Sequence, residues 1–186
     1  MANTNATSKK ILFCDAEAAS LRGEIFAASL VGAAGITVFD GYYMHSVMKD
    51  AESWQAQNIK FSGTEFPERA EFLKAFLETF ESARVEYGTG EYSSLTVCGH
   101  MPAPVEANLF QQLFAEVGMG EFSGPYHLVN TDTLLLLAGE PADSESAYAE
   151  KFGIELPSGY VPHTALSDAQ LTRLVWEHLT ERISFS

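Results

Sequence analysis

Lys10-Ile11-Leu12-Phe13-Cys14-Asp15-Ala16-Glu17 is an apolar run that ends in two carboxylates two residues apart. It reads as a strand over 10–15. Residues i and i+2 of a strand point to the same face, so Asp15 and Glu17 project together at its end. Two carboxylates held side by side repel and raise one another's pKa. A divalent cation between them removes that cost, and hard cations such as Mg²⁺ prefer carboxylate oxygens. The pair therefore predicts a metal site at the end of a central strand. Solvated acids also end many strands, so the prediction depends on what else converges there.

Working outward, residues 16–23 read as a turn rich in Ala, Ser and Gly, and 1–9 as a disordered polar leader. Residues 24–32 and 35–43 read as two further strands. Their short Gly-rich connections favour an antiparallel meander with the first. Residues 44–65 read as irregular. Pro67 then opens a helix whose Phe72, Leu73, Phe76, Leu77 and Phe80 follow a 3.6-residue period. A Gly/Tyr-rich loop over 84–94 precedes Leu95-Thr96-Val97-Cys98, a continuously apolar run expected of a buried parallel strand. Helix 105–117 carries Leu109, Phe110, Leu113, Phe114 and Val117, and Gly118 is its expected stop. A strand at 126–130, short helices at 131–138 and 144–152, and a last helix from Ser167 complete the chain. Ser167 and Gln170 have capping-box spacing. The order predicts an α/β fold: a mixed sheet with antiparallel strands 1–3 and parallel strands after them, flanked by helices on both faces.

With 186 residues, 46% of them hydrophobic, residues 10–186 are expected to form a single domain. The formal charge of −14 argues against tight binding to duplex nucleic acid or anionic lipid through a basic surface. It leaves room for a small site where cations bridge to phosphate. No apolar run approaches the ~20 residues that span a bilayer, and the N-terminus has no apolar signal core. The expectation is a cytoplasmic protein without membrane contact. Cys14 and Cys98 lie in strand-like runs and read as buried, reduced thiols.

Two more acids stand where the first pair can meet them. Glu106 lies in the first turn of the helix after Leu95–Cys98, and Asp168 in the first turn of the last helix. Helix N-termini favour carboxylates, and helix starts after central strands face the crevice where open α/β sheets place ligands. His163 precedes Asp168 by five residues, within reach of the same crevice. The whole set resembles the DEDDh branch of the 3′–5′ exonucleases, the family of the polymerase proofreading subunit and ribonuclease T. Asp15-Ala16-Glu17 resembles its first motif. Leu95–His100 leading to Glu106 resembles the second region, and Thr131-Asp132-Thr133-Leu134 the Asp-Thr-Leu that follows the next strand. His163-Thr164-Ala165-Leu166-Ser167-Asp168-Ala169 carries the third motif, His-x-Ala-x-x-Asp-Ala, intact. Three differences stand out. Glu106 occupies the place of an Asp, the loop before it is one residue longer with two prolines, and Ala18-Ala19-Ser20 replaces a Thr-Thr-Gly.

The resemblance implies a ribonuclease H-like fold and a metal-dependent exonuclease that releases nucleoside 5′-monophosphates from single-stranded DNA or RNA. Two Mg²⁺ or Mn²⁺ ions would lie about 3.5–4 Å apart. Asp15, Glu17 and Asp168 would be their ligands, Glu106 would act from the outer shell, and His163 would be the general base. Imidazole suits that task because its unperturbed pKa is about 6.5. Ala18, Ala19 and Leu21 would contact the terminal nucleotide, partly through backbone. The partner implied is a single-stranded 3′ end or a short oligonucleotide, and since several relatives are dimers, a homodimer is among the arrangements allowed. Phe66, Trp54 and Tyr160 are loop aromatics able to stack on bases. The alternative function is a catalytically impaired protein on the same fold that holds a nucleic-acid 3′ end or a protein partner, with Glu106 as its motive. A phosphodiesterase of small nucleotides is a third reading. His45, His127 and His178 read as structural or exposed, His100 as a support of its loop, Asp132 as a helix cap, and Asp143 and Glu145 as solvated helix-start charge.

Overall fold

Among the described residues of the computed structural model (11–88, 94–116, 118 and 124–183), six strands form one mixed sheet. In chain order they are Ile11–Ala18 (β1), Ile25–Val31 (β2), Thr37–Tyr43 (β3), Thr64–Phe66 (β4), Thr96–Gly99 (β5) and His127–Asn130 (β6). Across the sheet they run β4-β3-β2-β1-β5-β6. β1, β2 and β3 are antiparallel neighbours, while β5 lies parallel to β1, β6 to β5 and β4 to β3. This is the mixed α/β arrangement expected from the sequence. Six α-helices accompany the described strands: Trp54–Asn58 (α1), Arg69–Glu86 (α2), Val105–Glu116 (α3), Thr131–Leu137 (α4), Glu145–Phe152 (α5) and Ala165–Arg182 (α6).

The alternation of β1 assigns each face of the sheet its helices. Leu12, Cys14 and Ala16 join the large core beside Phe72, Phe76 and Phe80 of α2 and Leu109, Phe110 and Leu113 of α3. Ile11 and Phe13 point the other way, into a cluster with Ala169, Leu166 and Trp176 of α6. The rings of Phe13 and Trp176 meet edge-on at 6.5 Å. Continuously buried β2 agrees with a strand covered on both faces. Phe76 has no exposed surface and packs against Phe39 at 5.0 Å and Phe80 at 5.9 Å. Phe76→Ala leaves a ring-sized void, so urea unfolding should show a loss of about 3–5 kcal/mol. A loss under about 1 kcal/mol would contradict this packing.

Several boundaries differ from the sequence reading. β1 continues to Ala18, so Asp15 and Glu17 lie within the strand, because antiparallel pairing with β2 extends to Ala18–Ile25. The stretch read as irregular contains a 3₁₀ turn (Ser46–Lys49), α1 and β4. α2 runs on to Glu86; the rest of the expected loop at 89–93 lies outside the described residues, as do Lys10 and Val117. α6 starts at Ala165 with Thr164 at its N-cap. Ser167 therefore sits inside the first turn, and its Oγ accepts instead from the Val161 amide at 3.3 Å. Gly153 closes α5 in the left-handed conformation (φ 64°), as its position after the helix requires. Cys14 and Cys98 are buried and free. No helix among the described residues is long and apolar enough to cross a membrane.

Candidate metal centre

The parity of β1 builds the centre. Asp15 and Glu17 continue the odd-numbered row of Ile11 and Phe13, and that row faces α6. Asp168, in the first turn of α6, faces back towards them. Carboxylate oxygens of Asp15, Glu17 and Asp168 all lie within 4.8 Å of one another. The register of β1 against β2 shifts directly after this pair, between Glu17 and Ala18. Bulges of this kind re-aim a strand beside a site.

Both oxygens of Asp168 are held. Tyr160 donates its hydroxyl to Oδ1 at 3.0 Å, and the His163 amide donates to Oδ2 at 2.9 Å. His163 reaches that geometry with a φ of 58°. This left-handed conformation is uncommon for a residue with a Cβ, and such strain collects at functional sites. The His163 carbonyl accepts from the Lys60 amide at 2.8 Å, and the Trp54 ring meets the imidazole edge-on at 5.2 Å. Gln55 Nε2 donates to the Ala19 carbonyl at 2.9 Å. The segment between β3 and β4 thus ties the His163 loop to the turn after β1.

Glu106 comes from the other layer. α3 covers the Leu12–Ala16 face, and Glu106 Oε1, buried, accepts from the Ala16 amide at 3.1 Å. It is not one of the three clustered carboxylates, although its charge acts on Asp15 and Glu17.

A cavity of about 330 Å³ opens over the cluster. Asp15, Glu17, Asp168 and His163 line it, as do His100, Glu145, Tyr160 and Thr172. Its lining contains no lysine or arginine. Elsewhere Arg69, Lys74, Arg84, Lys151, Arg173 and Arg182 are each paired with a carboxylate. Burial, then repulsion from Asp168 and Glu106, pushes Glu17 up to about 8. Burial, followed by Glu106, Glu17, Asp168 and Glu145, also raises Asp15 well above the carboxylate range. Asp168 is raised by burial, which outweighs its bonds from Tyr160 and the His163 amide. Glu106 stands at about 7, pushed by burial against the lowering effect of backbone amides. A hard divalent cation supplies the positive charge this donor set lacks, so Asp15, Glu17 and Asp168 could hold a metal ion.

No family model matches the sequence, and no curated protein does.

Beside the cluster lies a second polar group that the sequence reading did not assemble. Glu145 is only 5% exposed. It accepts from the Thr131 hydroxyl at 2.5 Å and the Thr172 hydroxyl at 2.8 Å. Burial pushes it up to about 7, with both threonine bonds opposing. Reading it as solvated helix-start charge is thus corrected. The signal was present: Glu145, Tyr148, Ala149 and Phe152 share the i, i+3, i+4, i+7 stripe of α5. Asp143 lines the cavity too. Asp132 is likewise not the cap of α4; Asn130 is, accepting from the Asp132 amide at 3.0 Å. That frees Asp132 Oδ1 to meet His100 Nδ1 at 3.0 Å and to accept from the Met101 amide at 3.2 Å.

Of the other expected residues, Tyr160 lines the cavity and the rest fall outside its lining. Ala18, Ala19 and Leu21 occupy the end of β1 and the turn beyond it, with Leu21 71% exposed. Phe66 stacks on Phe39 at 6.3 Å, in the core's margin. Tyr160 holds Asp168, and Trp54 alone of the three loop aromatics keeps a largely open ring. His45 Nδ1 accepts from the Val47 amide, His178 Nδ1 meets the Tyr148 hydroxyl at 2.8 Å, and His127 is exposed.

Proposed function

We propose that this protein is a metal-dependent 3′–5′ exonuclease acting on single-stranded nucleic acid, of the DEDDh kind. The observation that carries the reading is the convergence of Asp15, Glu17 and Asp168 beside His163 in one cavity. Divalent cations held by the three carboxylates would supply an activated water and stabilisation of the leaving 3′ oxygen. His163 would take the proton of the attacking water. Its loop fixes it there through the Asp168 and Lys60 bonds, so the base and one metal ligand keep a constant spacing. Glu106 would steady the end of β1 through the Ala16 amide. Tyr160 would hold Asp168 in place, as supporting hydrogen bonds commonly do for ligating carboxylates. A lining without lysine or arginine leaves the scissile phosphate to be attracted by the cations alone, which favours short or single strands over duplex.

The test is release of nucleoside 5′-monophosphates from 3′- and 5′-end-labelled single strands of DNA and RNA with Mn²⁺, Mg²⁺ or chelator. Shortening should start at the 3′ end, require the cation, and fall by about 10²–10⁴-fold in His163→Ala. The same variant should keep its Mn²⁺-induced rise in melting temperature, because His163 is no ligand. Turnover surviving in His163→Ala would remove the proposed base. A second reading, a binding protein with impaired catalysis, draws on Glu106, which spends its carboxylate on the Ala16 amide. It predicts no turnover at any cation concentration and no gain from Glu106→Asp.

A further inference from the structure

His100 lines the cavity and has no part in the reaction just proposed. It directly follows β5, whose Cys98 lies level with Phe13 of the parallel strand β1. Carried on by two residues, that register sets His100, just past the end of β5, level with Asp15, which lies within β1. Adjacent strands are about 4.8 Å apart, so the two backbones are about one strand spacing from each other at this level, and His100 lines the same cavity as the three carboxylates. His163 approaches from the opposite side of β1: its loop is bonded to the segment between β3 and β4.

The His100 ring has a defined polarity. Nδ1 lies 3.0 Å from Asp132 Oδ1, 3.7 Å from Glu145 Oε1 and 3.3 Å from Thr131 Oγ1. Burial lowers the His100 pKa against the pull of Asp132 and so favours the neutral ring; with Nδ1 facing two carboxylates the proton of that ring sits on Nδ1, which leaves Nε2 as an acceptor. Phosphate oxygens are acceptors as well and gain nothing from it. A hydroxyl does. In an in-line displacement the attacking water and the leaving oxygen lie on opposite sides of phosphorus. With His163 on the water's side, His100 stands on the side of the leaving nucleoside. That nucleoside's 3′ oxygen is esterified, so the one sugar hydroxyl it has left is the 2′-hydroxyl of a ribose.

We infer that His100 Nε2 accepts a hydrogen bond from the 2′-hydroxyl of the penultimate ribonucleotide, making the site selective for RNA. The inference rests on the exonuclease reading and adds the sugar that the site takes. Asp132 is the positioning residue that keeps the acceptor nitrogen turned towards the strand.

The experiment uses short single strands that differ at one atom: hydroxyl, hydrogen or fluorine at the 2′ position of the penultimate residue. With Mn²⁺, the hydroxyl strand should be shortened about tenfold faster than the other two, since fluorine cannot donate. Moving the same changes to the terminal residue should alter the rate less than threefold, on the order expected when no hydrogen bond is lost. In His100→Ala the hydroxyl preference should shrink to within about twofold of unity, one hydrogen bond being the whole difference. Equal rates on all three strands, a fluorine strand as fast as the hydroxyl strand, or a preference that survives in His100→Ala would each overturn the inference. The fluorine comparison needs no variant, so it stands even if His100→Ala folds poorly. Should no strand be cleaved, the exonuclease reading fails, and the same three strands are compared for binding in Mn²⁺. Tighter binding of the hydroxyl strand would then sustain the His100 contact; equal binding, or none, would overturn it.

Discussion

The metal-free protein is expected to lose thermal stability as the pH rises from about 5 to about 8, and Mn²⁺ or Mg²⁺ to restore it. The sign follows from Glu17, whose folded-state pKa of about 8 lies above its ordinary value of 4.5. A group raised on folding stabilises fully below its unfolded pKa and loses that contribution as pH climbs through the folded one. Glu106 and Glu145, raised by burial to about 7, act in the same direction over the lower part of the window. Asp15 is raised for the same reasons, burial first. Each pKa unit corresponds to about 1.4 kcal/mol between protonation states, so the ionised, metal-free cluster costs several kcal/mol. A divalent cation reverses the trend because it competes with protons for the same oxygens. At about 100 times its dissociation constant it adds about 2.7 kcal/mol, which for a chain of this size is roughly 5–10 °C. The check is differential scanning fluorimetry at pH 5, 6.5 and 8 with chelator or Mn²⁺. A cation-induced shift as large at pH 5 as at pH 8 would sink the idea.

Asp15→Asn should be the most damaging single change to function and yet should stabilise the metal-free fold at pH 8. Asp15 is the carboxylate at the centre of the repulsion, raised after burial by the charges of Glu106, Glu17, Asp168 and Glu145. Asparagine keeps the shape and removes the charge. The remaining carboxylates then ionise at lower cost, which should raise the metal-free melting temperature by several degrees, on the order of 1–3 kcal/mol. The same change takes a charged oxygen from the cation. The Mn²⁺-induced thermal shift should largely vanish. Hydrolysis, if the proposed reaction holds, should fall about 10²-fold or more, several kcal/mol of transition-state stabilisation. Melting with and without Mn²⁺ and strand-shortening rates together check it. A variant that is less stable without metal, or that keeps the full Mn²⁺ shift, would mean that Asp15 is not held against its neighbours as described.

The frame and the triad were legible for definite reasons. The Asp15–Glu17 spacing carries its facing in the two-residue period, and the helical stripes of α2 and α3 carry theirs in the 3.6-residue period. Asp168 was legible by its position after His163. Harder to read were the contributions made by short polar contacts. Nothing local marks Gln55 and Lys60 as the groups that tie the segment after β3 to Ala19 and His163. Asp132 looked like a cap because it opens a helix, but Asn130 one step outside takes that role and turns Asp132 to His100. Glu145 was misread because a first-turn acid is usually solvated, while its place on the α5 stripe pointed inward. Glu106 was legible as an acid at a helix start; that it would reach β1's backbone from the opposite layer is a matter of packing between α3 and the sheet.

The alternation of β1 has a consequence for how this chain can change. Leu12, Cys14 and Ala16 belong to one layer and Ile11, Phe13, Asp15 and Glu17 to the other. One residue inserted between Phe13 and Asp15 would exchange the two rows beyond it. The carboxylates would then be driven against Leu109 and Phe110, and small apolar side chains would meet Asp168. Substitutions along β1 are graded in effect, whereas its length obeys an even–odd rule: insertions or deletions of two preserve the arrangement of faces, and those of one dismantle core and centre in a single step.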